Sequence, residues 1–337
     1  MAIDMNMSGG KLDVDILFVS DLHIGSEFFR AEQFTRMLDH INPKRLIING
    51  DGLDGHRLHR HGWNIPEEQR QALDCIYEKE AQGVQVDWVN GNHDEVLRKS
   101  LLGGKPIMGQ KAFGMNFSDG VMVRTDDNRE YLVTHGDYIV DDGLFENDVM
   151  SHLPAIGDFL YDNLQRLDQF VYDHSPDCLK DRFSVAASLK SLTKVIIMGL
   201  SGFNRHALKA ARDTNVDGII YGHTHMPGDT VLEKDGEQVH LLNSGSWVDS
   251  CTAIVMKDGE FDILWGRQFD RIIHQTAEDF AAGVERRRSL YRHKTEGFLN
   301  YFKQVLFEPE KKGPKGLEPS MPVADPLGME PAPLGAE

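Results

Sequence analysis

Five short motifs of Asp, Asn, Gly and His limit the folds open to this chain, because each motif directly follows a predicted β-strand. Ligands of open α/β sheets bind outside the carboxyl ends of the strands. Motifs that all follow strands are therefore expected to meet in one crevice. The five motifs are Asp21-Leu22-His23, Gly50-Asp51, Gly91-Asn92-His93-Asp94, His135-Gly136-Asp137 and Gly222-His223-Thr224-His225.

Short apolar runs alternate with helix-like segments from Val14 onwards, which predicts crossover helices between parallel strands. The Asp-Gly pairs at 235–236 and 258–259 predict antiparallel hairpins later in the chain. Together they predict an α/β sandwich with mixed sheets. The predicted strands are Val14–Ser20, Arg45–Asn49, Val84–Asn90, Gly120–Arg124, Glu130–Thr134, Gly218–Tyr221, Val239–Asn243, Thr252–Met256 and Phe261–Trp265, and the predicted helices include Phe28–His40 and Glu67–Gln82.

The chain divides into four predicted parts: a flexible start at 1–13, a catalytic domain at 14–268, an amphipathic helix at 269–307 and a disordered tail, rich in Pro and Gly, at 308–337. A helical insertion at about 143–212 interrupts the strands of the domain. Its apolar residues recur at spacings of three and four. This stripe packs in the core or receives acyl chains, and insertions of this kind often form lids or substrate walls.

The predicted C-terminal helix has an apolar heptad repeat and a basic face. Packing on its own domain or on a second subunit is the simpler interpretation. Peripheral contact with anionic lipid at the inner face of the membrane is the alternative. The basic face carries Arg286, Arg287, Arg288, Arg292 and Lys294.

The net charge and the cysteine content limit the classes of function and the cellular compartment that are expected for this protein. The net charge of −17 argues against a nucleic-acid coat or a nuclease, which need a basic surface, but not against a phosphate ester held by metal ions. Three scattered cysteines form no disulfide framework. The chain has no basic-then-apolar leader and no apolar run of about 18–20 residues, so a cytoplasmic protein is expected.

The residue types of the motifs suit a pair of divalent metal ions. Two ions about 3.5–4 Å apart clamp a phosphoryl group and activate a water, and they need a carboxylate that bridges them. Mixed imidazole and oxygen donors suit Mn, Fe, Co or Zn better than Ca or Mg. The candidate ligands are Asp21, His23, Asp51, Asn92, His135, His223 and His225. The sequence thus predicts a phosphoesterase that uses a metal-bound hydroxide.

The same motifs, in the same order, resemble the signature of the calcineurin-like metallophosphoesterase superfamily, which implies its sandwich of mixed sheets flanked by helices. By this resemblance, Asp51 bridges the two ions. His93 faces the phosphate as a general acid or a stabiliser of the transition state, and Asp94 orients His93 or serves as a buried structural carboxylate. The resemblance assigns Asp21, His23, Asp51 and His225 to the first ion and Asp51, Asn92, His135 and His223 to the second.

Within the superfamily, the chain resembles the UDP-2,3-diacylglucosamine diphosphatases and their paralogues over about residues 14–268. The segments that carry this likeness include Ser20–Gly25, Gly91–Glu95, Gly222–Pro227 and Trp247–Ala253. The resemblance implies Mn²⁺ and cleavage of the pyrophosphate of a nucleotide sugar. Those enzymes typically carry Arg after Gly-Asn, where this chain has His93, which places it nearer to the paralogues.

The segment after Asp51 is predicted to be a loop at the mouth of the site. Arg57 and Arg60 in this segment are candidates to bind a second phosphate, since a guanidinium matches phosphate with two hydrogen bonds. A solvated run of charges is the alternative. Two other functions remain open: a phosphodiesterase or phosphatase for a nucleotide or other non-lipid ester, and a binding protein that kept the fold, which would be expected to lack ligands.

Overall fold

The computed structural model describes residues 11–102, 109–137, 139, 203–234, 236–266 and 276–308. The predicted helical insertion lies outside these residues up to 202, and so do residues 1–10 and 309–337 of the two predicted tails. The catalytic motifs and most of the predicted C-terminal helix fall within the described part of the chain.

The described strands form two mixed sheets. They are β1 (Leu12–Val19), β2 (Ile41–Asn49), β3 (Gln85–Val89), β4 (Gln110–Ala112), β5 (Met115–Ser118), β6 (Val121–Arg124), β7 (Glu130–Val133), β8 (Gly218–Tyr221), β9 (Gly228–Lys234), β10 (Glu237–Asn243), β11 (Thr252–Lys257) and β12 (Glu260–Trp265). The larger sheet has the order β12-β11-β1-β2-β3-β5-β4, and the smaller one β6-β7-β8-β10-β9. The predicted α/β sandwich with mixed sheets is confirmed.

The described helices connect or cover these strands. They are α1 (Ala31–His40), α2 (Gly55–His61), α3 (Glu67–Ala81), α4 (Glu95–Leu102), α5 (Phe203–Thr214) and α6 (Ala277–Phe307). Strands β1, β2 and β3 are parallel, as the alternating pattern predicted. The predicted hairpins are also present, since β9–β10 and β11–β12 are antiparallel pairs.

Two sheets and their helices make four layers. Side chains alternate along β1, so Phe18 joins Val133 and Ile220 in the core between the sheets, while Leu17 and Val19 face the helices. On that outer face the large sheet is covered by α1, α3 and α6. Helix α5 covers the opposite face of the smaller sheet. The motifs follow β1, β2 and β3 of the larger sheet and β7 and β8 of the smaller sheet.

Helix α6 packs along α3 of its own domain. Arg292 donates to Glu67 and Asp74 of α3 at 2.7–2.9 Å, and Lys294 donates to Glu80 at 2.7 Å. The other three residues of the predicted basic face, Arg286, Arg287 and Arg288, also pair with carboxylates. The described part of α6 thus turns its basic face to acidic groups of this protein. None of the described helices combines the length and the apolarity needed to cross a membrane.

The prediction of a loop after Asp51 was wrong, because residues 55–61 form helix α2. Asp54 caps this helix: its side chain accepts a hydrogen bond from Arg57 N at 2.9 Å. A side-chain acceptor at this position satisfies a backbone donor that has no partner within the helix. Leu58 is the single buried apolar side chain of α2, so the face of α2 that carries Leu58 is the one turned to the core.

Candidate metal centre

The loops that carry the motifs leave the carboxyl ends of β1, β2, β3, β7 and β8 and are bonded to one another. Asp21 N donates to Gly50 O at 3.0 Å, and Gly222 N donates to His135 O at 3.0 Å. The first bond ties two loops of the large sheet together, and the second ties two loops of the smaller sheet. The predicted ligands therefore lie on backbone that is hydrogen-bonded on both sides of the crevice.

A first group of donor atoms surrounds Asp21, His23 and His225. His225 Nε2 lies 3.1 Å from Asp21 Oδ1 and 3.4 Å from His23 Nε2. His23 Nε2 lies 3.9 Å from Asp21 Oδ1 and 3.7 Å from Asp51 Oδ2. Asp21 is fully buried, and Asp51 is 2% exposed. Four predicted ligands thus present two oxygens and two nitrogens to a common point.

A second group of donor atoms shares Asp51 with the first. Asp51 Oδ2 lies 3.2 Å from His135 Nε2, which in turn lies 3.2 Å from Asn92 Oδ1. The ring of His223 lies 5.1 Å from the ring of His135. Burial raises the pKa of Asp51, but the imidazoles of His135 and His93 hold it well below its usual range. Asp51 therefore presents an ionised carboxylate between the two groups.

The spacing of these donors fits bound cations. Donors held at about 2.0–2.2 Å from one ion in a tetrahedral arrangement stand about 3.3–3.6 Å apart. The distances measured within the two groups run from 3.1 to 3.9 Å. Buried carboxylates need a positive partner, and buried imidazoles alone supply one only when protonated. The residues therefore fit a pair of divalent ions.

The backbone is left-handed at many of the predicted ligands. A non-glycine residue with positive φ is uncommon and costs about 1–3 kcal/mol. The ligands in this conformation are Asp21 (φ 53), His23 (φ 49), Asp51 (φ 50), His223 (φ 62) and His225 (φ 57). Such strain, concentrated at one place, is typical of functional sites.

Two motif glycines allow a close approach of the backbone to ligand side chains. Gly50 has φ 87, and a Cβ at this position would lie 2.1 Å from His135 Nδ1. A Cβ at Gly91 would lie 2.1 Å from Asp51 Oδ1. Both distances are far inside van der Waals contact, so any larger residue would displace a predicted ligand.

His93 lies beside the donor groups and contacts Asp54. Its Nδ1 is 2.8 Å from Asp54 Oδ1, and its backbone N–H donates to Asp51 Oδ1 at 2.8 Å. Burial lowers the pKa of His93, but the charge of Asp51 and the hydrogen bond that His93 donates to Asp54 outweigh it and raise the pKa to about 9. In the absence of cations His93 is therefore protonated at neutral pH, and bound cations would move its pKa down.

Asp94 holds the backbone of the Asp51 loop. Its carboxylate accepts from Gly52 N at 2.9 Å and Leu53 N at 2.8 Å, and from the indole of Trp88 at 3.3 Å. Burial and the nearby Asp51 raise its pKa to about 7. Of the two predicted roles of Asp94, these contacts are those of a buried structural carboxylate. The carboxylate in contact with the His93 ring is that of Asp54.

Asp249 contacts a predicted ligand and was not singled out in the sequence. Its Oδ2 lies 2.9 Å from His225 Nδ1, so the other ring nitrogen, Nε2, faces the first donor group. A carboxylate on the distal nitrogen fixes the orientation and tautomer of a metal-binding imidazole. Asp249 lies in the loop between β10 and β11, far from His225 in sequence, so only the Trp247–Ala253 segment pointed to this loop.

A pocket of about 230 Å³ opens over the two donor groups. Arg57, Arg60 and His61 of α2 line its mouth, and Phe28 and Val248 add an apolar wall. Arg57 Nη2 donates to Glu27 Oε1 at 2.9 Å. The predicted phosphate-binding arginines thus share one pocket with most of the predicted ligands. Asp137, the last residue of its motif, instead lies 3.5 Å from Arg98 Nη2.

Comparison with known proteins assigns the family. The model of the calcineurin-like phosphoesterases matches residues 14–227. Similar solved structures include Vacuolar Protein Sorting 29 from Cryptosporidium parvum, which is 14% identical over 74% of this chain and 96% of that chain, with a TM-score of 0.32. No curated protein matches the chain.

Two further solved structures are similarly distant. A novel archaeal phosphodiesterase is 15% identical over 74% of this chain and 98% of that chain, with a TM-score of 0.30. Phosphopantetheinyl hydrolase from Mycobacterium tuberculosis is 15% identical over 72% of this chain and 92% of that chain, with a TM-score of 0.31.

The fold and the donor groups define a metal-dependent hydrolase of phosphate esters. Because the family model covers well over half of the sequence, this chain belongs to the calcineurin-like phosphoesterase family. The predicted superfamily and enzyme class are confirmed.

Proposed function

We propose that this protein hydrolyses a phosphodiester or pyrophosphate bond of an anionic small molecule at a pair of metal ions in this pocket. The observation that carries the proposal is the position of Asp51, whose buried Oδ2 lies 3.7 Å from His23 Nε2 on one side and 3.2 Å from His135 Nε2 on the other. A carboxylate shared by two donor groups is what a pair of ions needs as a bridge.

In this proposal Asp21, His23, Asp51 and His225 hold one ion, and Asp51, Asn92, His135 and His223 hold the other. Mn²⁺ is the proposed metal, with Fe, Co or Zn as alternatives, because the donors mix imidazole and oxygen. When bound, the ions supply the positive charge that activates water and stabilises charge on the phosphoryl group. Asp249 keeps Nε2 of His225 turned to its ion.

His93 supplies a proton and Asp54 positions it. With Nδ1 against Asp54 at 2.8 Å, the Nε2 atom of His93 remains for the substrate. Asp54 stabilises the protonated ring, so His93 can donate a proton to the leaving oxygen or a hydrogen bond to a phosphoryl oxygen. Asp94 takes no direct part in this proton donation. It holds the loop that carries Asp51 by accepting hydrogen bonds from the N–H groups of Gly52 and Leu53.

Arg57 and Arg60 bind the part of the substrate that lies beyond the reacting phosphorus. Both line the mouth of the pocket on α2, where a second phosphate of a pyrophosphate would lie. This favours a pyrophosphate of the UDP-2,3-diacylglucosamine type as substrate. A nucleotide or another non-lipid ester is the alternative, since both substrate classes present phosphates.

We place the reaction in the cytoplasm. A peripheral membrane contact through α6 would require its ion pairs with α3 to open.

The test uses metal-stripped protein reloaded with Mn²⁺. UDP-2,3-diacylglucosamine should yield UMP and a lipid monophosphate, and a small aryl diester, bis(p-nitrophenyl) phosphate, should be cleaved as well. Asp51→Asn should abolish both reactions and lower the bound Mn²⁺. Cleavage of the aryl diester with UDP-2,3-diacylglucosamine left intact would refute the lipid substrate, whereas an Asp51→Asn protein with full activity would refute the metal centre.

Arg60→Met tests the proposed role of α2. Loss of the guanidinium should raise KM for the pyrophosphate about tenfold or more while kcat for the aryl diester, which has a single phosphate, changes little. An equal effect on both substrates would mean that Arg60 acts on the metal centre instead.

A further inference from the structure

The last turns of α6 pack directly on α2, the helix at the mouth of the pocket. Phe302 is fully buried, and a Cβ built at Gly55 would lie 3.3 Å from Phe302 Cζ and 3.7 Å from Leu306 Cδ1. At the other end of α2, the ring of Phe307 stacks on His59, with 5.7 Å between centroids and 15° between planes. The end of α6 therefore contacts the outer side of α2 at two places, Gly55 and His59.

Helix α2 cannot hold its own position. It has seven residues, and helices shorter than about 12–15 residues are marginal in water without tertiary packing. On its inner side Leu58 packs against Gly25, where a Cβ would lie 2.7 Å from Leu58 Cγ. On its outer side the contacts come from Phe302, Leu306 and Phe307. Side chains of α6 thus provide one of the two faces that fix α2.

The register of α6 is set independently of α2. Thr295 and Arg292 both donate to Asp74 of α3, and Arg70 of α3 donates to Glu296. These bonds lie between one and three turns before Phe302 and fix both the rotation and the axial position of α6. Phe302 is therefore presented to α2 by a helix that is already anchored elsewhere.

We propose that the end of α6, through Phe302, Leu306 and Phe307, is a positioning element for substrate recognition. It holds α2 so that Arg57 and Arg60 face the pocket, and this inference rests on the proposed function of those two arginines. Residues 14–227 match the family model, so these three residues lie outside the matched segment. A part of the chain beyond the matched segment thus determines how well the pocket binds the far end of its substrate.

The proposal predicts a selective kinetic effect. In Phe302→Ala, α2 loses its main apolar support, so Arg57 and Arg60 sample more positions and bind a second phosphate less well. KM for the pyrophosphate should rise about tenfold. The Mn²⁺ stoichiometry should stay within about twofold, because the metal-binding loops keep their own hydrogen bonds. The kcat for the aryl diester should also stay within about twofold, because the backbone at Asp54 is held without α6: Asp54 N donates to Ile24 O at 2.8 Å and Leu53 N donates to Asp94 at 2.8 Å.

Tyr301 offers a matched control. It is the neighbour of Phe302, is 5% exposed and packs on Phe113, with ring centroids 5.2 Å apart. Phe113 lies between β4 and β5, away from α2. Tyr301→Ala should therefore cost a similar amount of stability, about 3–5 kcal/mol for a buried aromatic, without changing KM. Phe302→Leu should bring KM back close to that of the unaltered protein, because leucine fills most of the space that the alanine leaves empty.

Hydrogen–deuterium exchange of the full chain gives a readout that needs no substrate. The amides of residues 55–61 should exchange faster in Phe302→Ala than in the unaltered protein or in Tyr301→Ala. Unchanged exchange in Phe302→Ala, or equal acceleration in Tyr301→Ala, would overturn the inference. So would an unchanged KM in Phe302→Ala when Arg60→Met raises it. If Arg60→Met leaves KM unchanged while exchange in α2 accelerates, the proposed role of Arg60 fails and the packing of α6 on α2 stands.

Discussion

Replacement of Asp54 by Asn should slow turnover because His93 loses its charged partner. The amide keeps the size of the carboxylate and an oxygen that can cap α2 by accepting from Arg57 N. What is lost is a buried, charge-assisted hydrogen bond of 2.8 Å to His93 Nδ1. Hydrogen bonds to charged groups contribute about 1.5–3 kcal/mol. At about 1.4 kcal/mol per factor of ten, kcat should fall about 10- to 150-fold.

A double-mutant cycle tests whether Asp54 acts through His93. His93→Ala should lower kcat for bis(p-nitrophenyl) phosphate by about 10²–10³-fold, as expected for the loss of a hydrogen-bond donor to the phosphoryl oxygens, since the p-nitrophenolate group leaves without a proton. In the His93→Ala background, Asp54→Asn should then have an effect of less than about threefold, because its partner is already missing. Asp54 Oδ2 also lies 3.5 Å from His23 Nδ1, so bound Mn²⁺ has to be measured in each variant. A full 10-fold or larger loss on top of His93→Ala, at unchanged metal content, would refute the positioning role.

Three other changes test separate parts of the site. Glu27→Gln should lower KM for the pyrophosphate about 1.4- to 5-fold, since it releases Arg57 from an exposed ion pair worth about 0.2–1 kcal/mol; an unchanged KM would show that Arg57 does not reach the substrate. Asp249→Asn should weaken Mn²⁺ binding about 10- to 100-fold in calorimetry by loosening His225, and an unaltered affinity would contradict that role. Gly91→Ala should lower the bound Mn²⁺ from about two to less than one equivalent, because the new methyl group overlaps the proposed bridging carboxylate; full metal content would contradict it.

The sequence predicted the parts of the fold that depend on strong local patterns. Runs such as Gly218–Tyr221 are apolar throughout and flanked by motifs, and the structure has this strand at the same residues. The strands β4 and β5 were missed, and β9 was indicated only by the Asp-Gly pair of its hairpin, without bounds. Strand β4 has three residues, β5 has four, and β9 is a largely exposed edge strand with little apolar alternation. Short or exposed strands are specified by their partners in the sheet rather than by their own composition.

The candidate site was predictable where a residue type and a strand end coincide, and not where the contact is between distant loops. Helix α2 was interpreted as a loop because Leu58 is its only large apolar residue, and its helical state depends on the Asp54 cap and on Phe302 of α6. The sequence did contain a sign of this helix, since Asp54, a residue type that caps helices, directly precedes the segment. The contact of Asp249 with His225 depends on how two loops of the smaller and larger sheets meet, which no local pattern describes.

The left-handed backbone at the predicted ligands has a consequence for the evolution and engineering of this protein. Each such residue costs about 1–3 kcal/mol, whereas glycine adopts the same conformation without this penalty. His223→Gly should therefore raise the melting temperature of the metal-free protein while it weakens metal binding, because burial and the neighbouring His135 lower the pKa of the His223 ring to about 4, so that its loss removes no positive charge from the buried carboxylates. Most substitutions elsewhere in the protein lower its stability, whether or not they also change its activity. Selection for thermal stability alone would therefore favour variants that are stable but inactive. Because of these five ligands, screens for stabilised variants need to measure activity as well.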